Sequence, residues 1–176
     1  MMTDRRRSRA RRIALTGILT GLSTGLLYLS ALIPTSYIGT VAAASLFAFA
    51  AVIETGLAGG AFVFAGTTVL GFLLVPMKSA VLLYALFFGY YPIVKSLAER
   101  IKSRICGWAV KLAVMNAALT VMLFVFSGLV FSGDFFSRSY PLVYLVFNVC
   151  FIVFDFGVSR LIVFYCARTS KYSHKV

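Results

Sequence analysis

Apolar residues in this chain come in long unbroken runs separated by short polar or basic breaks, with no strand-like alternation. A helix that crosses the hydrocarbon core of a bilayer needs about 20 apolar residues. Six segments approach that length: residues 13–33, stopped by Pro34; 39–53, short but extendable backward; 57–75, ended by Pro76; 79–94, continuing as a polar helix towards Lys102; 108–131; and 140–167. A tight turn, "ETGLAGG", joins the second to the third, and "SGDFFSRSYP" separates the fifth from the sixth. The pattern predicts an all-α, polytopic integral membrane protein with six transmembrane helices.

Composition strengthens that expectation. The 176 residues are 61% hydrophobic and 12% charged, with a mean hydropathy of +0.95, whereas soluble domains carry about 25% charged residues. The net charge of +12 is blocked rather than spread. Arg5, Arg6, Arg7, Arg9, Arg11 and Arg12 precede the first run; Lys95, Arg100, Lys102, Arg104 and Lys111 cluster mid-chain; Arg168, Lys171 and Lys175 lie in the tail. Cations beside apolar spans mark cytoplasmic flanks. Threading six helices with both termini in the cytoplasm puts these blocks and the Glu54 turn on one side, leaving only Lys78 and Arg138 as cations outside. The expected organisation is a basic cytoplasmic arm over 1–12, a membrane domain over 13–167 and a basic cytoplasmic tail over 168–176. Because the bilayer accounts for the charge pattern, no nucleic-acid partner is expected. The first run is longer than a signal-peptide core and reads as an uncleaved helix.

Catalytic signatures are missing from the sequence. The one histidine, His174, is in the tail; no HExxH, GxSxG or P-loop pattern occurs, and there are five acidic residues in all. No enzyme, no metal site and no cofactor of its own is expected. Cys106, Cys150 and Cys166 are scattered and read as small apolar residues. Of the ionisable groups within or near the spans, Glu54 reads as a hairpin residue in touch with water, and Arg160 as close enough to the inner face to snorkel. Asp155 is deeper. It stands about 140° around the helix from Arg160, so its expected partner lies on another helix.

In "LFFGYYPIVKSLAER", Pro92 deprives the Phe88 carbonyl of its helical donor and Gly89 eases a bend, which predicts a kink. Below it, Lys95 and Glu99 are spaced to pair. Towards the outer side, Tyr37, Lys78, Tyr84, Asp134, Tyr140, Tyr144 and Asn148 make a polar and aromatic set, with 140, 144 and 148 on one helix face. Turned inward, they would line a pocket for a small organic ligand; turned outward, the tyrosines would form an interfacial belt. On the first helix, Gly17, Gly21 and Gly25 follow Ala14 as a row of small residues flanked by Thr16, Thr20 and Thr24. Such a row suits close helix contact, either within the bundle or with a partner.

Six helices in 176 residues, the arginine-led first helix with small residues at every fourth position, and the glycine-rich second turn resemble the substrate-binding S component of energy-coupling factor (ECF) transporters. The run "LFFGYYPIVKSLAER" is also similar to a group of small bacterial membrane proteins related to those components. The resemblance implies a multi-pass protein of the bacterial cytoplasmic membrane that binds a vitamin-like micronutrient beneath its outer loops. It also implies docking through Ala14, Gly17, Gly21 and Gly25 on a transmembrane coupling protein, with ATP hydrolysed by cytoplasmic ATPases. Metal-transporting relatives use an N-terminal histidine that this chain lacks. A second expectation is a structural membrane protein of the cell-shape type, similar in size and helix count, that binds partner proteins without transport. A small secondary carrier is a third, for which only Asp155 qualifies as a coupling charge.

Overall fold

A computed structural model describes the backbone of residues 2–32, 37–101, 103–125 and 140–173, with side chains except those of 2–8, 104, 125, 140, 166 and 168–173. The described residues are helical and joined by turns, and six helices are long and apolar enough to cross a membrane. By length and composition this is a multi-pass membrane protein. The helices are α1 (Met2–Leu32), α2 (Tyr37–Thr55), α3 (Leu57–Leu74), α4 (Lys78–Leu83), α5 (Tyr91–Ala98), α6 (Arg104–Val125) and α7 (Tyr140–Ser173). A π turn over Tyr84–Phe88 links α4 to α5, and the two helices together form one candidate span, Lys78–Ala98. Residues 1–132 make one compact unit and residues 133–176, with α7, another.

Several boundaries differ from the expected ones for local reasons. α1 begins at Met2 and carries the arginines in its first turns, with its candidate span starting at Arg9. α3 stops at Leu74 because Val75, held before Pro76, is extended at φ −83°, ψ 122°. Two carbonyls at that end, those of Phe72 and Val75, accept from the Lys78 ammonium.

The fourth span bends at residues 89–90, upstream of Pro92 and at the glycine expected to ease it, and does so through a π turn. The Gly89 N–H donates to the Tyr84 carbonyl at 2.7 Å, five residues back, and closes the π turn. Pro92 then sits in the first turn of α5, where its missing N–H costs nothing. The helix does not reach Lys102 but ends at Ala98.

α1, α2 and α3 are the most closely packed helices, with Leu19, Ala48, Ala51 and Val63 at their centre. Apolar attraction between helices is weak in lipid, so backbones must come close. Here the small residues that permit this are mainly on α3. A Cβ built on Gly66 would lie 2.9 Å from Thr20 Cγ2, and one on Gly59 would lie 3.3 Å from Thr16 Cγ2. The contacts advance together along both helices, so α1 and α3 run parallel. One residue, Gly56, separates α2 from α3, at φ 85° and ψ −176°. That conformation is essentially confined to glycine. Gly56→Ala is therefore expected to destabilise the unit by about 1–3 kcal/mol, read as a lowered midpoint of thermal unfolding in detergent.

Candidate functional site

α1 divides lengthwise into two faces. Thr16, Leu19, Thr20, Ser23 and Leu27 turn towards α2, α3 and α4, and all are buried or half-buried. Ala14, Gly17, Gly21 and Gly25 are exposed, as is Ala10 in the same row. A Cβ built on any of these three glycines meets no described atom within 4 Å. Within residues 1–132 the glycine groove therefore does not serve packing between helices; the threonine side of α1 does that work. Thr16 bonds back to its own helix at Arg12 and Ile13, and Thr20 bonds back at Thr16, which satisfies hydroxyls that would otherwise be orphaned in lipid.

Where α1 to α4 meet, a polar cluster crosses the core. The Ser23 hydroxyl is 3.0 Å from the Ala44 carbonyl of α2 and 3.4 Å from the Tyr84 hydroxyl at the start of the π turn. Thr67 of α3 adjoins the same Tyr84 hydroxyl. Ser23, Thr67 and Tyr84 are each 0% exposed. The Phe64 ring lies beside those of Tyr84 and Tyr90, with centroids 6.4 and 6.3 Å away. Gly89 leaves room for these rings: a Cβ there would be 2.6 Å from Tyr84 Cε1 and 2.7 Å from Phe64 Cδ2.

At the α5–α6 elbow, the expected Lys95–Glu99 pair is present at 3.3 Å, and Lys111 of α6 reaches the same carboxylate oxygen at 3.7 Å. Lys111 also lies over the Trp108 ring, 5.4 Å from its centroid. Both lysines are buried, whereas Glu99 is 56% exposed. The carboxylate thus acts as a solvent-facing latch between the two helices. With one partner in water, each pair contributes on the order of 1 kcal/mol or less.

The residues expected to line a pocket fall into both units. Tyr37, Lys78 and Tyr84 belong to residues 1–132; Tyr140, Tyr144 and Asn148 belong to α7 in residues 133–176. Asp134 lies outside the described residues, and Tyr140 is placed by its backbone alone. Tyr37 is half-buried at the start of α2, while Tyr84 is wholly enclosed. The Asn148 amide donates to the Tyr144 carbonyl of its own helix at 2.8 Å. Asp155 is buried at 3% exposure, its own carbonyl accepting from Ser159. Arg160 is exposed with its guanidinium 5.2 Å from the Phe156 ring centroid, and Glu54 is exposed at the end of α2.

Sequence reasoning missed two members of the core cluster, Ser23 and Thr67. The available signal was their placement: Ser23 falls on the α1 face opposite the glycines, and Thr67 follows Gly66 on the face of α3 that meets it. No family model, no curated protein and no solved structure matches the chain.

Proposed function

We propose that the chain is a membrane-embedded substrate-binding subunit for uptake of a small organic, vitamin-like micronutrient, docking on a transmembrane coupling protein driven by cytoplasmic ATPases. The observation that carries this reading is the open row of α1. Ala14, Gly17, Gly21 and Gly25 are small, aligned and exposed on a helix whose other face is packed. From Ala14 to Gly25 the row extends about 17 Å at 1.5 Å per residue, roughly half the hydrocarbon core of a bilayer.

Charge favours a different protein over a second copy as the occupant. Parallel association of two α1 helices through this row would bring together two arms, each with six arginines, and like charges at that separation repel. The arms lie in the cytoplasm under the positive-inside rule, as do both termini. The ligand would sit under the outer connections, with Tyr37, Lys78 and Tyr84 as its contacts in residues 1–132.

A structural membrane protein of the cell-shape type would use the same open row for partner binding without transport. The complete burial of Tyr84 favours this second reading, since a ligand-lining tyrosine in an open pocket keeps one edge free. The two readings share the docking step, which photo-crosslinking tests. With benzoylphenylalanine at position 21 in living cells, the expected product is an adduct with one larger membrane protein. Adducts confined to lipid or to a second copy of the chain would refute the docking role.

A further inference from the structure

We propose that the α5–α6 elbow binds the headgroup of an anionic phospholipid, with an acyl chain of the same molecule lying along Ile105 and Trp108. Contacts on the inner side of the elbow brace it. α5 ends at Ala98 and α6 begins at Arg104. The two helices cross closely, since a Cβ built on Gly107 would lie 3.0 Å from the Ala98 carbonyl oxygen. Beside that crossing Glu99 takes Lys95 at 3.3 Å and Lys111 at 3.7 Å, which ties one helix to the other.

Charge at the elbow is one-sided. Residues 95–111 carry five cations and one acid, and that acid is the carboxylate shared by Lys95 and Lys111. Arg100 is exposed, and among the described residues its guanidinium has no ion-pair or hydrogen-bond partner. Lys102 and the Arg104 side chain lie outside the described ones and count by sequence alone. Each is within four residues of Arg100, no more than about 14 Å of extended chain. Cations spaced on the scale of the screening length, about 8–10 Å, act together on one anion.

An apolar surface adjoins these cations. Ile105 is 82% exposed and Trp108 40%, with Ala109 exposed beside them. At about 100° per residue these three share the side of α6 opposite Gly107 and Lys111, which are buried. The candidate spans run to Ala98 and from Ile105, so the cations stand at the edge of the apolar length and Trp108 one turn within it. Free phosphate would satisfy the cations and leave the apolar side bare. A phospholipid supplies both in the right order, an anionic phosphate at the surface and a hydrocarbon chain pointing inward. Basic groups between membrane helices on the cytoplasmic side collect anionic headgroups, and tryptophan suits the boundary between headgroup and chain. The site uses no residue of the α1 row or of the outer tyrosine set, so it is the same under the uptake and scaffold readings.

Trp108 is the one tryptophan of the chain, and its fluorescence therefore reports on this elbow alone. The full chain is reconstituted in mixed phosphatidylcholine and phosphatidylglycerol bilayers, with one lipid at a time brominated on its acyl chains to quench a tryptophan in contact. Brominated phosphatidylglycerol should quench Trp108 with an apparent affinity at least tenfold above that of brominated phosphatidylcholine, since each cation near the surface contributes roughly a fivefold preference. The preference should shrink at high salt. Arg100→Gln should lower it severalfold, and Arg100→Gln with Lys102→Gln and Arg104→Gln should remove it. Arg100→Lys, which keeps the charge, should retain most of it. Glutamine at Arg5, Arg6 and Arg7 together should leave it unchanged, which separates the elbow from general attraction to the arginines of α1. Equal quenching by the two lipids in the wild type overturns the site, as does a preference that survives the elbow triple or falls equally in the α1 triple. Loss of the preference when inorganic phosphate is added at constant ionic strength would show that the elbow takes the free ion, and would overturn the lipid assignment. Gly21→Leu should leave the lipid preference intact, so failure of docking and failure of this site are visible separately.

Discussion

Gly21→Leu is expected to abolish co-purification of the chain with its membrane partner while leaving its own unfolding midpoint within about 1–2 °C of wild type, as for substitutions that touch no packed neighbour. A Cβ at Gly21 meets no described atom within 4 Å, so the packing of α1 to α6 within residues 1–132 has nothing to lose. A helix seated on the row would be pushed outward by a side chain several ångströms long. Close packing is what holds such helices together in lipid, so separation of this kind removes most of the attraction. Pull-down from solubilised membranes, quantified beside the unfolding curve, reads both halves of the expectation. A complex recovered in undiminished yield would show that the row is not the docking face.

Gly66→Leu should do the reverse. Its Cβ would fall 2.9 Å from Thr20 Cγ2, inside the tightest part of the α1–α3 contact. Overpacking of this kind costs about 1–3 kcal/mol and often more. The neighbouring Val63 and Leu19 are buried on the same seam and leave no slack. The variant is expected to unfold at least several degrees below wild type or to be recovered mainly as aggregate, measured by thermal unfolding and size-exclusion chromatography. Wild-type stability for Gly66→Leu would mean that α1 and α3 do not pack as described. Read as a pair, the two substitutions separate glycines that hold the bundle from glycines that look out of it.

That separation was beyond the sequence. Length and hydropathy sufficed to find six spans, because a bilayer demands long apolar runs whatever the details of packing. The proline at 92 foretold a bend, and the spacing of Lys95 and Glu99 foretold their pair. The bend at residues 89–90 lies where Gly89 was expected to ease it, but its π turn was not legible, since that depends on whether the Tyr84 and Phe64 rings fit beside Gly89. Nor could periodicity assign the faces of α1. Gly17, Gly21 and Gly25 look as suited to an internal contact as Gly59 and Gly66, and only the packed side chains decide between them. Lys111 shows the same limit: it reads as part of a basic flank, yet it is folded onto Trp108 and shares Glu99 with Lys95. Ser23 and Thr67 lie 44 positions apart and carry no motif, so their meeting at Tyr84 is a tertiary fact.

The most direct test of substrate binding is native mass spectrometry of the tagged chain extracted gently from its own membranes. A nutrient-binding subunit should emerge with one small organic molecule bound per chain, and a fraction of it should carry a larger membrane protein and ATPases. A chain that emerges repeatedly without any small molecule, from cells grown in vitamin-replete medium, would contradict uptake and leave the scaffold reading in its place.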